Sequence, residues 1–179
     1  MSLPVRLLAM HTPLWIRRRA LDQLLAFTAA AFECPPPSTE GLSLDQRLRE
    51  YALFTRNHVE DRIRRGDDLA VLQERLYWSA YQLGRMHGKM LRVRSNEEVM
   101  ALGRVLYRIL EIDFQGDAQG EVVIRRCYFS RIYSGPVCKV MSAMDRGLVA
   151  GLSGGAQLVF SARITEGQPC CRARLVGEG

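Results

Sequence analysis

Lysine is almost missing from this chain: Lys89 and Lys139 are the only two, and arginine supplies the remaining positive charge. There is no uncharged apolar run of about 18 residues, which excludes a transmembrane helix from the expectation. No glycine-rich phosphate loop precedes a helix, no C-x-x-C knuckle occurs, and no segment repeats, so nucleotide-loop, zinc-knuckle and solenoid readings fall away. Histidine is scarce too. His11, His58 and His87 all precede the last third of the chain. The arginine triplet Arg17-Arg18-Arg19 follows the apolar N-terminal stretch instead of preceding it, which is the wrong order for a secretory signal. The expected location is therefore the cytoplasm, with no membrane partner.

What is present describes an ordinary globular chain. Its 179 residues are 47% hydrophobic and 25% charged, enough for one well-buried core and too few for two full domains. The formal net charge is +6, spread along the helical part and accompanied by no nucleic-acid signature. Solvated arginine faces are the reading, and no nucleic-acid partner is expected. Five cysteines, an odd number without an export signal, suit reduced thiols.

Periodicity and capping predict four helices first. The first covers about 14–33, with Trp15, Leu21, Leu24, Leu25, Thr28, Ala31 and Phe32 near one face, and Cys34-Pro35-Pro36-Pro37 stops it. Amphipathic and set apart, the segment 1–34 is the expected surface for a homodimer. Ser43 and Gln46 form a capping box for the second helix, which Gly66 ends. A third covers about 69–90, where Gly84 and Gly88 predict close helix–helix packing. The fourth opens at Ser95 and Glu98. After the helical part, 43–113, the residues 115–120 read as a turn, and 121–128 as a strand. A helix follows over 136–150 with Pro136 in its first turn, then strands over 157–165 and 170–176. The expected fold is a single α+β domain: a helical layer of about four helices on a small antiparallel sheet, with a strand-helix-strand-strand part over 120–176.

The chemistry concentrates in that last part. Cys127 ends a strand, and Cys138 sits in the first turn of the next helix, where the helix N-terminus and nearby Arg125, Arg126, Arg131 and Lys139 predict a favoured thiolate. A small buried apolar residue is the competing reading for Cys138. Cys138, Ser142 and Asp145 are spaced i, i+4, i+7, which aligns them along one side of the helix. That alignment offers a nucleophile, a hydroxyl donor and a carboxylate to one pocket, and the competing reading is an exposed polar stripe. Cys170 and Cys171 are adjacent in a strand and point to opposite faces. Three thiolates from strand, helix and strand are a conceivable zinc set, yet the compact knuckles are missing, so neither a metal site nor a cofactor is assigned.

The order RRCYF, GPVCKVMSAMD and RITEGQPCCRARL over Cys127–Leu175 resembles the L-2-amino-thiazoline-4-carboxylic acid hydrolase-like family, and more distantly the four-vinyl-reductase-type small-molecule-binding domains. The resemblance spans roughly 76–176, with Leu76–Gly84 (LYWSAYQLG) in keeping. It implies that Cys127, Cys138 and Cys171 stand at the family's cysteine positions and Asp145 at its acidic one. Gln168, the extra Cys170 and Tyr128-Phe129 depart from the family pattern. What the resemblance implies is a hydrolase opening a small sulfur/nitrogen heterocycle: Cys138 or Cys127 attacks, Asp145 is the base, and Arg126 holds a substrate carboxylate. The alternative is a non-catalytic module for a small hydrophobic ligand, in which Tyr128, Phe129, Tyr133, Met141, Met144 and Phe160 line an apolar pocket. Tyr133, Ser142 and Cys171 complete the expected ligand-binding set. An adaptor that dimerises through the first helix is the third reading.

Overall fold

The computed structural model describes residues 12–177. Among these residues, five helices and a four-stranded antiparallel sheet make an α+β fold, with the helices mostly in the first part of the chain. In chain order these are α1 (Leu14–Phe32), α2 (Leu44–Arg65), α3 (Leu69–Leu91), α4 (Asn96–Ile109), β1 (Ile112–Gly116), β2 (Glu121–Cys127), α5 (Gly135–Ser153), β3 (Gln157–Ala162) and β4 (Cys171–Val176). Single 3₁₀ turns follow β2 and β3.

Capping chemistry sets the helix starts. The Ser43 hydroxyl accepts from the Gln46 amide and the Gln46 side chain accepts from the Ser43 amide, a complete box at α2. At α4 the Ser95 hydroxyl accepts from the Glu98 amide, while the Glu98 carboxylate reaches one residue further back, to the Arg94 amide. Asp68 caps α3, and Ser134 caps α5 just before Pro136.

α1 departs from the sequence reading in one respect. Trp15 is 66% exposed, while Leu21, Leu25, Thr28, Ala31 and Phe32 are buried. At about 100° per residue, Leu21 lies some 240° round the helix from Trp15, so the two belong to different faces. The part of the 1–34 segment before Thr12 lies outside the described residues.

The sheet also holds a strand that the expected strand-helix-strand-strand order omitted. Residues 112–116 form β1, so the 43–113 stretch does not end in helix and the turn shortens to 117–120. Ile112, Phe114 and Gly116 face inward, and Asp113 and Gln115 sit on the outer face. Two outward polar residues and a glycine look like a turn, but they form an edge strand once β2 lies beside them. Asp117 closes the hairpin by accepting from the amides of Gln119 and Glu121. Strand order is β1-β2-β4-β3, every pair antiparallel. One face carries the core: Cys171, Ala173 and Leu175 of β4 are buried, while Arg172, Arg174 and Val176 face out.

α3 and α5 make the most extensive contact among the described elements. A Cβ added at Gly147 would overlap the Tyr77 carbonyl, one at Gly151 the Tyr81 carbonyl, and one at Gly84 the Leu148 carbonyl. Glycine on both helices lets the backbones touch, the role expected for Gly84 and Gly88. Gly147 and Gly151 lie about 180–220° round α5 from Cys138. Pressing one side of α5 onto α3 therefore turns Cys138, Ser142 and Asp145 toward the sheet.

Candidate functional site

Between α5, the inner face of the sheet, and the sides of α2 and α4 lies a cavity of about 110 Å³. Its walls are mainly apolar and aromatic, with a small set of polar groups. The structure brings six of the sequence-predicted site residues onto this one cavity: Cys127, Tyr133, Cys138, Ser142, Asp145 and Cys171. Phe129, Met141, Met144 and Phe160 line it too, whereas Tyr128 faces the opposite side of the sheet end.

Arg126 is the exception and needs correction. It is exposed and lines an outer groove, not the cavity. The cause is a bulge in β2: Phe114 pairs with Ile124, but Ile112 pairs with Cys127, so three steps on β2 match two on β1. The extra residue turns Arg126 outward beside Arg125 and brings Cys127 back to the inner face with Ile112. Unbroken alternation from Val122 and Ile124 would have put Arg126 inside and Cys127 outside.

A second bulge, in β3, supplies the arginine that sequence reasoning missed. Phe160 pairs with inward Ala173, then Ala162 pairs with outward Arg172, so phase changes within two residues. Arg163 consequently faces the cavity at the end of β3, 14% exposed by its side chain. Its guanidinium stacks on the Phe160 ring at 4.8 Å, donates to Ser142 Oγ at 3.4 Å and lies 3.8 Å from Glu166. No sequence signal marks Arg163, because a bulge is set by the partner strand.

Asp145 is a perturbed acid. Its Oδ1 accepts from the Tyr107 hydroxyl at 2.6 Å. Burial pushes its pKa up to about 6, against the opposing pull of the Tyr107 hydrogen bond and of Arg163 and Arg146. The residue keeps some accessible surface although protein surrounds its carboxyl, since it forms part of the cavity wall. Tyr107 of α4, also unforeseen, is held by stacking on Phe114 at 4.7 Å. Two further tyrosines on the cavity are fixed by buried threonines: Tyr51 by Thr28 at 3.2 Å, and Tyr133 by Thr55.

The thiols behave differently from the expectation of a favoured thiolate. Burial raises Cys127 to about 12 and also raises Cys138 and Cys171. Desolvation acts first, and the Asp145 charge adds to it. The cations expected to oppose this point elsewhere: Arg125, Arg126 and Arg131 border the outer groove, and Lys139, 64% exposed, sits 3.5 Å from Glu166. Cys138 also lies past the free amides of α5, its own N–H bonding to Ser134 O. The buried Thr165 hydroxyl has no oxygen or nitrogen partner, and it offsets part of the rise at Cys138. Ser142 is not a free donor, since its hydroxyl hydrogen goes to Cys138 O at 2.8 Å and its oxygen accepts from Arg163. It acts as a support for the arginine.

Neither described histidine reaches the cavity. His58 stacks on Phe32 at 4.7 Å, and His87 lines a separate groove beside α1; His11 lies outside the described residues. Among the described residues, no group of three or more histidine, cysteine, aspartate or glutamate side chains could hold a metal ion. None of the described helices is long and apolar enough to cross a membrane. No protein-family model matches the chain, and no curated protein matches it.

Proposed function

We propose that this protein is a small-molecule hydrolase that opens a sulfur/nitrogen heterocycle such as L-2-amino-thiazoline-4-carboxylate, with Asp145 as its working base. The observation that carries the reading is Asp145 itself: an enclosed carboxyl with a pKa near 6, hydrogen-bonded to Tyr107, facing a cavity that also holds an arginine and three thiols. A base tuned to the neutral range is what proton abstraction from water requires. The Asp145 carboxylate takes a proton from water as the oxygen adds to the carbon between sulfur and nitrogen. The carbon–sulfur bond then breaks, and the proton returns from Asp145 to the leaving sulfur as a free thiol. Arg163 takes the part first expected of Arg126, holding the substrate carboxylate. Cys127, Cys138 and Cys171 line the reacting carbon as neutral thiols, since burial disfavours the charged form a nucleophile needs.

The test is thiol release from that substrate by wild type, Asp145→Asn and Cys138→Ser. Turnover by wild type, a loss of at least about a hundredfold in Asp145→Asn and of roughly tenfold or less in Cys138→Ser is the expected pattern. Equal loss in both variants would return the attacking role to the thiol. No turnover by folded wild type favours the second reading, a binding module for a small hydrophobic ligand. That reading is supported by the aromatic and methionine lining and the uncharged thiols. In either case five free cysteines suit a reducing compartment such as the cytoplasm. Self-association through α1 is supported by Leu14 and Trp15, both more than half exposed.

A further inference from the structure

On the opposite side of the end of β2 lies a groove of about 770 Å³, far larger than the inner cavity. Five arginines border it: Arg104, Arg108, Arg125, Arg126 and Arg131. Only two carboxylates, Glu111 and Asp113, share the lining. Five guanidinium groups round one concavity with two carboxylates in its lining give that concavity a positive potential, which attracts an anion. The lining is also partly pre-set. Arg125 donates to Gln115 Oε1 at 2.6 Å and Arg104 donates to Gly116 O at 2.6 Å, which hold those two heads in place. Arg126 and Arg131 make no ion pair or side-chain hydrogen bond among the described residues. The β2 bulge sends Arg126 outward beside Arg125 and turns Cys127 inward, so one backbone irregularity adds an arginine to this cluster and a thiol to the wall behind it. Ile112 and Cys127 belong to both linings.

We infer that this groove is a binding site for a phosphate-bearing small molecule, adjoining the inner cavity and separate from it. Planar guanidinium forks match phosphate oxygens two at a time, and several arginines in one concavity suit a group carrying more than one negative charge. The inference goes beyond the hydrolase reading and does not rest on it, because none of the groove arginines faces Asp145.

The experiment is calorimetric titration of the full chain with inorganic pyrophosphate at a fixed ionic strength of about 0.15 M, where general charge attraction is screened beyond about 8 Å. The double variant Arg126→Gln/Arg131→Gln and the inner variant Asp145→Asn are titrated beside it. Wild type binds, the double variant loses at least tenfold in affinity, and Asp145→Asn stays within twofold. Absence of binding to folded wild type at millimolar pyrophosphate overturns the site. Equal affinity in the double variant also overturns it, since the attraction would then belong to the overall charge. A loss in Asp145→Asn as large as in the double variant would show one merged site and overturn the separation. Both arginines are exposed, so a thermal melt verifies that the variant folds, and Arg126→Gln alone is read in the same direction.

Discussion

The two sides of α5 do opposite things with the same helix. On one side Gly147 and Gly151 meet α3 backbone to backbone, with no room for a methyl group. On the other side Cys138, Ser142 and Asp145 border empty space and hold polar groups out of water at a cost. The tight packing lies on the first side, and the candidate chemistry on the second. The contrast shows how a small domain supports a perturbed carboxyl: a contact with no tolerance holds the helix in place, so the cavity wall cannot collapse to relieve the burial of Asp145.

Breaking the tight side has the largest effect. Gly147→Val forces a branched side chain into the Tyr77 carbonyl, which belongs to helix backbone and cannot move aside. The expected loss is more than about 3 kcal/mol in a urea titration, with the folded baseline itself eroded. Gly41→Val is the control: nothing lies within 4 Å of its added Cβ, though its φ of +72° is strained, and its loss stays well below that of Gly147→Val.

Sharpening the reactive side gives a smaller effect of opposite sign. Asp145→Asn is expected to stabilise the fold at pH 7 by of order 2 kcal/mol while it removes activity. The sign follows from the raised folded pKa of about 6 against roughly 3.9 unfolded. Wild type binds the proton more tightly when folded, so its stability is greatest below about pH 4 and declines as pH rises through 6. The gap between variant and wild type should therefore be near zero at pH 4 and full at pH 7. A gap independent of pH would contradict the shift at Asp145.

The smallest of the three effects concerns Arg163. Its charge lowers the Asp145 pKa, so Arg163→Gln should move the acid limb of the pH–rate profile to higher pH and raise KM. Arg126→Gln should leave that limb where it is, because Arg126 stands on the far side of the sheet. Identical shifts in the two variants would erase the distinction between cavity and groove.

Much of this was legible in the residues. The capping box at Ser43, the stop at Gly66 and Pro136 in the first turn of α5 all act within one turn of helix, so local sequence is enough to find them. The alignment of Cys138, Ser142 and Asp145 follows from helical period alone. β1 was hidden because Asp113, Gln115 and Gly116 have turn-like composition, and only pairing with β2 makes them a strand.

By itself the sequence determined where the helices start and that Cys138, Ser142 and Asp145 share one side of α5, because each depends on neighbours three or four residues away. It ended α5 at 150, whereas Gly147 and Gly151 lie inside a helix that runs to Ser153 and meet α3 there. Tertiary structure alone decided that Cys127 and Arg163 face inward and Arg126 outward. Strand phase past a bulge depends on a partner strand far along the chain, and no local pattern encodes it. It also decided protonation. A helix start and nearby arginines argue for a thiolate, but burial outweighs them when the arginines face the other way, and how deeply a group is buried is a property of the whole fold.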